Sequence, residues 1–211
     1  QELWKAAEQP RGVFSDRIRL AELVGAVCTQ MQPELSARGI TVEVAVPEDL
    51  PELTVDQPRF RRLFELLLLD ELSVLPSGAR VRIEARSVPQ EGPERSEVEI
   101  RVSDTGPGLP EEWLRLVFDP FVCRSDSPAE FGIRLMACYI IVHHHRGTIH
   151  AKSEPGRGTT FVIRLPVRPE AGTLERGDTD FLRKAVLNDE LWHKLAGGMI
   201  PTPAEPGARN R

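Results

Sequence analysis

Apolar and polar residues alternate along residues 97–103, where Val98, Ile100 and Val102 are apolar while Glu99, Arg101 and Ser103 are polar. A period of two is the mark of a half-buried strand. Related patterns predict strands over 40–46, with Val42, Val44 and Val46 on one face, and over 79–87, 148–153 and 159–166. Shorter strands are expected at 13–16 and 53–56. Helical spacing governs other stretches. Leu20, Leu23, Val24, Val27, Cys28 and Met31 fall on one face of a helix over 20–38, with Pro33 expected to kink it. Phe60, Leu63, Phe64, Leu67 and Leu68 form the apolar stripe of a second helix over 58–75, and Pro58 suits its first turn. A third helix is expected over 111–118 and a fourth over 132–145. Residues 122–131 are polar and aperiodic and read as a loop, and 89–95 as a hairpin connection. The sum is a mixed sheet of about five strands with three helices covering one face.

The strand over 97–103 runs into Asp104-Thr105-Gly106-Pro107-Gly108. A carboxylate at the end of a strand can accept a hydrogen bond from an exocyclic amine or a ring N–H, and glycines let a ligand approach bare backbone. The stretch therefore reads as the floor of a small-molecule pocket, with a plain strand–turn–helix connection as the alternative.

Three further motifs follow in order: Phe118-Asp119-Pro120-Phe121, then Gly132-Ile133-Arg134-Leu135, then Gly156-Arg157-Gly158-Thr159-Thr160-Phe161. Together with the Asp104 turn this series resembles the ATP-binding domain of sensor histidine kinases, in the superfamily that also holds gyrase, a heat-shock chaperone and mismatch-repair ATPases. The resemblance spans residues 12–167. It implies a two-layer α/β (α+β) sandwich, with 1–11 as a lead-in and 168–211 as a C-terminal extension. It implies an ATP or ADP site at Asp104, Gly106, Gly108, Phe118, Phe121, Arg124, Gly132, Arg134, Leu135 and Thr160. Asp104 would hold the adenine amine, and Phe118 and Phe121 would anchor a lid over 122–131. Arg124 is the lid cation best placed to reach a γ-phosphate, with simple solvation as its other reading. Gly132 at the start of a helix suits phosphate, because helix N-termini present unpaired N–H groups.

Four positions depart from the family pattern. Leu66 and Asp70 stand where the second helix usually carries Mg²⁺-linked asparagines, Arg134 where the second glycine box has its second glycine, and Arg146 where another glycine is usual. Asp70 can offer a hard oxygen to Mg²⁺, but Leu66 can orient nothing. Arg134 can fill the phosphate space or donate a fork of hydrogen bonds to it. A pairing of Asp70 with Arg134 across that site is expected. The implied function is an ATP-binding catalytic-type domain with weakened phosphoryl transfer, leaving activity as an enzyme undecided. The alternatives are a pseudokinase serving regulation or dimerisation, and an anti-sigma-type serine kinase. Implied partners are upstream phosphoacceptor and dimerisation helices and a response regulator. No phosphoacceptor histidine motif lies within residues 1–20.

The chain has 211 residues and a net charge of −5, which argues against general affinity for nucleic acid. No apolar run approaches the ~20 residues of a membrane span. Cys28, Cys123 and Cys138 lie far apart without metal-ligand spacing, which suits a reducing, cytoplasmic setting. The start at Gln1 reads as a piece of a longer protein. His143-His144-His145 invites a metal reading, but consecutive helical positions diverge; surface placement at a helix end is the expectation. Residues 178–195, with Phe181, Leu182, Leu191 and Trp192, read as an amphipathic helix for a protein partner or self-association, and 197–211 as a disordered tail.

Overall fold

The computed structural model describes residues 14–89, 96–114, 117–118 and 128–169. The elements are β1 (Asp16–Ile18), α1 (Leu20–Ala37), β2 (Thr41–Ala45), β3 (Leu53–Val55), α2 (Gln57–Val74), β4 (Arg80–Val88), β5 (Glu97–Asp104), α3 (Glu111–Leu114), α4 (Pro128–His144), β6 (Thr148–Ser153) and β7 (Thr159–Pro166). The main sheet has the order β2-β4-β5-β7-β6, and β1 pairs with β3 in a separate two-stranded ribbon. Only β2 and β4 run parallel in the main sheet; the other neighbours are antiparallel. This is the mixed five-stranded sheet with three long helices that the periodicities predict.

The alternation sets the layers. Val98, Ile100, Val102, Ile83 and Ile163 are buried and point one way from the central strands. Val24, Val27, Phe60, Phe64, Leu67, Ile140 and Ile141 supply the buried helical surfaces. Burying side chains of this size contributes about 1.5–3 kcal/mol each. Phe60 and Phe64 meet edge to face at 5.5 Å, and the Cys138 thiol contacts the Leu63 carbonyl, tying α4 to α2. α1 continues as one helix through Pro33.

The structure shifts two expected boundaries. The first strand lies at Asp16–Ile18 rather than 13–16, and α3 is described over Glu111–Leu114. α4 starts at Pro128, so the last part of the expected 122–131 loop is helical. Proline suits a first helical turn, where its missing N–H costs nothing. The expected helix over 178–195, Phe121, Arg124 and most of the lid lie outside the described residues.

The C-terminus of α4 is built unusually. The Arg146 N–H donates to the His143 carbonyl at 3.0 Å and the Gly147 N–H to the Val142 carbonyl at 2.9 Å. These two bonds form a Schellman motif, which normally carries glycine at the left-handed position. Here that position is Arg146, with φ of 61°. His145 precedes it and corrects the surface reading of the histidine run: it is buried. Its Nε2 accepts from the Asp56 N–H at 3.0 Å, and its Nδ1 faces the Ile141 carbonyl at 2.8 Å. A ring whose Nε2 accepts must carry its proton on Nδ1. Burial pulls its pKa down to about 4, against the pull of the Ile141 hydrogen bond. Asp56 in turn caps α2 by accepting the Arg59 N–H at 3.2 Å. Burial alone would raise the Asp56 carboxyl, but hydrogen bonds from His144 and Arg59 bring it to about 2.

Candidate functional site

Asp104 is the last residue of β5, and its side chain is on the helix-facing side of the sheet, in step with Val98, Ile100 and Val102. It is buried. Two main-chain donors hold it: the Gly106 N–H donates to Oδ1 at 2.6 Å and the Thr159 N–H to Oδ2 at 2.8 Å. One donor lies on the turn after β5 and the other at the start of β7. The two bonds fix the plane of the carboxylate. A carboxylate so fixed suits a ligand that donates N–H.

The glycines answer to close approach. A Cβ on Gly106 would lie 2.5 Å from Leu75 Cδ2 and 2.7 Å from Asp104 Oδ1. At Gly158 φ is +88° and a Cβ would lie 2.0 Å from the Asp104 carbonyl oxygen. No L-residue side chain fits there without separating β7 from β5. Gly108 likewise faces the Glu154 carbonyl.

The β5 turn is sewn to the β6–β7 hairpin. The Gly156 N–H donates to the Pro107 carbonyl at 2.7 Å. The Ser153 hydroxyl accepts from the Leu109 N–H at 2.7 Å and donates to the Gly158 carbonyl at 2.7 Å. Ser153 thus joins the two glycine turns, a role the sequence does not announce, because its partners are main-chain groups far away in the chain.

The remaining expected site residues divide. Phe118 packs between Tyr139 on α4 and Phe161 on β7, with ring centroids 5.8 and 6.3 Å away. Thr160 is corrected: it pairs in register with Ser103, and their hydroxyls meet at 3.0 Å on the face opposite Asp104. Its neighbour Thr159 supplies the bond to Asp104 instead. Leu135 is buried among core side chains. Gly132 is the fifth residue of α4, past the four positions whose N–H groups a helix leaves open, so it does not form the helix N-terminus expected of it.

On α2, Leu66 and Asp70 are both buried, one helical turn apart. The Asp70 carboxylate is felt on α4, where burial first and Asp70 second push the Cys138 thiol well above its ordinary range. Arg134 reaches back to the same helix: its Nη1 donates to the Leu69 carbonyl at 3.3 Å and to the Ser73 hydroxyl at 3.0 Å. These contacts set Arg134 against the last turns of α2, the helix that carries Asp70, and the pairing of Asp70 with Arg134 itself stands as a proposal. For Mg²⁺ the fit is partial. Asp70 is a hard-oxygen donor, Leu66 is none, and the described residues hold no cluster of three ligating side chains. Mg²⁺ commonly takes one or two carboxylates and completes its shell with phosphates and waters, so Asp70 suits only an ion that arrives with a nucleotide.

Comparison with known proteins agrees with this fold. The sequence model of the family described as histidine kinase-, DNA gyrase B- and HSP90-like ATPase matches residues 55–169. An adaptive-response sensory kinase SasA of Synechococcus sp. (strain JA-2-3B'a(2-13)) is 32% identical over 168 residues, covering 76% of this chain and 43% of that protein. The chain thus spans less than half the length of the curated relatives it matches. The nucleotide-free catalytic domain of histidine kinase ThkA superposes with a TM-score of 0.64 at 21% identity, covering 74% of this chain and 98% of that one. A complex of ThkA with response regulator protein TrrA contains the same fold, with a TM-score of 0.59 at 21% identity over 73% of this chain and 42% of that one. With the family's sequence model matched over more than half of its length, the chain belongs to the histidine kinase-, DNA gyrase B- and HSP90-like ATPases and carries an ATPase domain of the histidine-kinase kind.

Proposed function

We propose that the domain binds ATP or ADP with the adenine amine donating to Asp104, and that its phosphoryl-transfer capacity is weakened. The observation that carries the binding site is the two-point main-chain clamp on Asp104, from Gly106 and Thr159. The clamp fixes the acceptor before a ligand arrives, so little orientation is left to be ordered on binding. Gly106 and Gly158 keep side chains away from the carboxylate, and Phe118 supports the lid. Bound nucleotide would supply the transferable phosphoryl group and Mg²⁺ would neutralise its charge, with Asp70 the protein oxygen placed for the ion.

Weakening follows from α2 and α4. Buried Leu66 offers no hydrogen bond where a polar side chain would orient the ion's shell. The Arg134 guanidinium is engaged with Leu69 and Ser73. These features favour, as the second reading, a pseudokinase that retains the fold for regulation or dimerisation. In either role the domain would work beside phosphoacceptor helices and a response regulator in the cytoplasm. Among the described residues no helix is long and apolar enough to cross a membrane.

Calorimetric titration of ATP and ADP, with and without Mg²⁺, tests the proposal on the wild-type chain and Asp104→Asn. Micromolar binding that is lost in a folded variant is expected. No heat at millimolar nucleotide overturns nucleotide binding and leaves the scaffold reading.

A further inference from the structure

The face of the main sheet turned away from the helices carries a charged cluster that the nucleotide site does not use. Glu99 lies at its centre, on β5, and is only 1% exposed. Arg86 on β4 and Arg164 on β7 are its cross-strand partners in register, and Arg101 follows two residues on along β5. Each arginine engages Glu99 through both Nε and Nη2. The distances are 3.0 and 2.8 Å for Arg86, 3.0 and 2.9 Å for Arg101, and 2.9 and 2.8 Å for Arg164. Burial alone would raise the Glu99 carboxyl, but these three hydrogen-bonding forks bring it to about 2.

One bidentate arginine would neutralise a carboxylate. Three leave two positive charges beyond Glu99; on the same face Glu97 offsets one, while Glu84, opposite Arg101, is engaged by Arg82, in a chain whose net charge is −5. The arginines stay 63%, 42% and 50% exposed. Using two N–H groups on Glu99 leaves three of the five on each guanidinium. Glu99 holds the three stems in place, so the outer N–H groups form a fixed platform and less rotamer entropy is lost on binding. Three adjacent strands at about 4.8 Å spacing make the platform roughly 10 Å wide. Acidic side chains one turn apart on a helix, about 5–6 Å between Cβ atoms, match that spacing.

We propose that the Arg86–Arg101–Arg164 platform on the open sheet face docks an acidic segment of a partner protein. The planar forks match carboxylate geometry. The platform is too narrow, and the chain too negative overall, for an extended nucleic-acid backbone.

The experiment titrates decaglutamate into the 211-residue chain at low salt, following amide chemical shifts and affinity. Shifts centred on β4, β5 and β7 are expected, together with affinity that falls as salt rises. Arg86→Gln with Arg164→Gln should weaken binding roughly tenfold or more, while Arg19→Gln with Arg38→Gln, which removes the same charge elsewhere, should change it less than about twofold. Equal losses in the two pairs overturn the proposal. So do shifts mapped elsewhere on the wild-type chain, a reading that survives even if the Arg86 and Arg164 variant fails to fold. Binding to vesicles of anionic lipid with none to the peptide also overturns it.

Discussion

Gly158→Ala puts a number on how tightly the site is built. At φ of +88° an alanine pays about 1–2 kcal/mol for its backbone alone. Its Cβ would stand 2.0 Å from the Asp104 carbonyl oxygen and 3.0 Å from Asp104 Oδ1. Backbone cannot swing aside as a side-chain tip can, so β7 must draw back from β5. That movement stretches the 2.8 Å bond from the Thr159 N–H to Asp104 Oδ2. Hydrogen bonds to charged groups contribute about 1.5–3 kcal/mol. The sum is about 2.5–5 kcal/mol, a large part of the 5–15 kcal/mol typical of a folded domain. Gly156→Ala is the internal control: its φ is +78°, but a Cβ there meets nothing within 4 Å. It should cost only the backbone share, about 1–2 kcal/mol. Urea unfolding of both variants, read at constant m-value, gives the comparison. Equal losses at the two positions would refute the claim that Asp104 is locked by close contact between β5 and β7.

Other outcomes are equally open to measurement. Arg146→Gly should stabilise the domain by about 0.5–1 kcal/mol, since it removes left-handed strain at the α4 Schellman turn at some cost in chain entropy; a lower melting temperature would show that contacts of the arginine outweigh that strain. His145 is favoured neutral in the folded state, so its contribution is fully present above its unfolded pKa and is lost as pH falls toward about 4. Going from pH 7 to 4.5 should remove about 2 kcal/mol through this residue, with the depressed His143 acting in the same direction, and His145→Asn should flatten that slope in urea titrations. The Cys138 thiol, buried and raised, should resist alkylation until the domain unfolds, whereas reaction at the rate of a free thiol would contradict its burial.

Much of the fold was legible because its two periods are clean. The alternation at Val98, Ile100 and Val102 and the stripe from Phe60 to Leu68 each led to an element close to its observed bounds. The turn at Asp104 was legible as a pocket candidate because a carboxylate ends the strand beside spaced glycines. Its partners were not, because Gly106 and Thr159 act through main-chain N–H groups. Thr160 was the threonine expected at the site, yet strand alternation sends it with Ser103 to the other face. The start of α4 was signalled by Pro128, since proline suits a first helical turn. Apolar periodicity, which begins only further on, hid it. The clustering of Arg86, Arg101 and Arg164 on Glu99 needs strand register, and three separated arginines in a sequence give no hint of it.

The central claim is that Asp104 is the acceptor of an adenine site. Titration of ¹⁵N-labelled protein with adenosine, which carries no phosphate, isolates that contact from any made through phosphate or Mg²⁺. The account predicts saturable shifts at the Gly106, Gly158 and Thr159 amides, with guanosine, which lacks the exocyclic amine at that ring position, leaving them unmoved. Silence at those amides on addition of adenosine, with the domain folded, would contradict it.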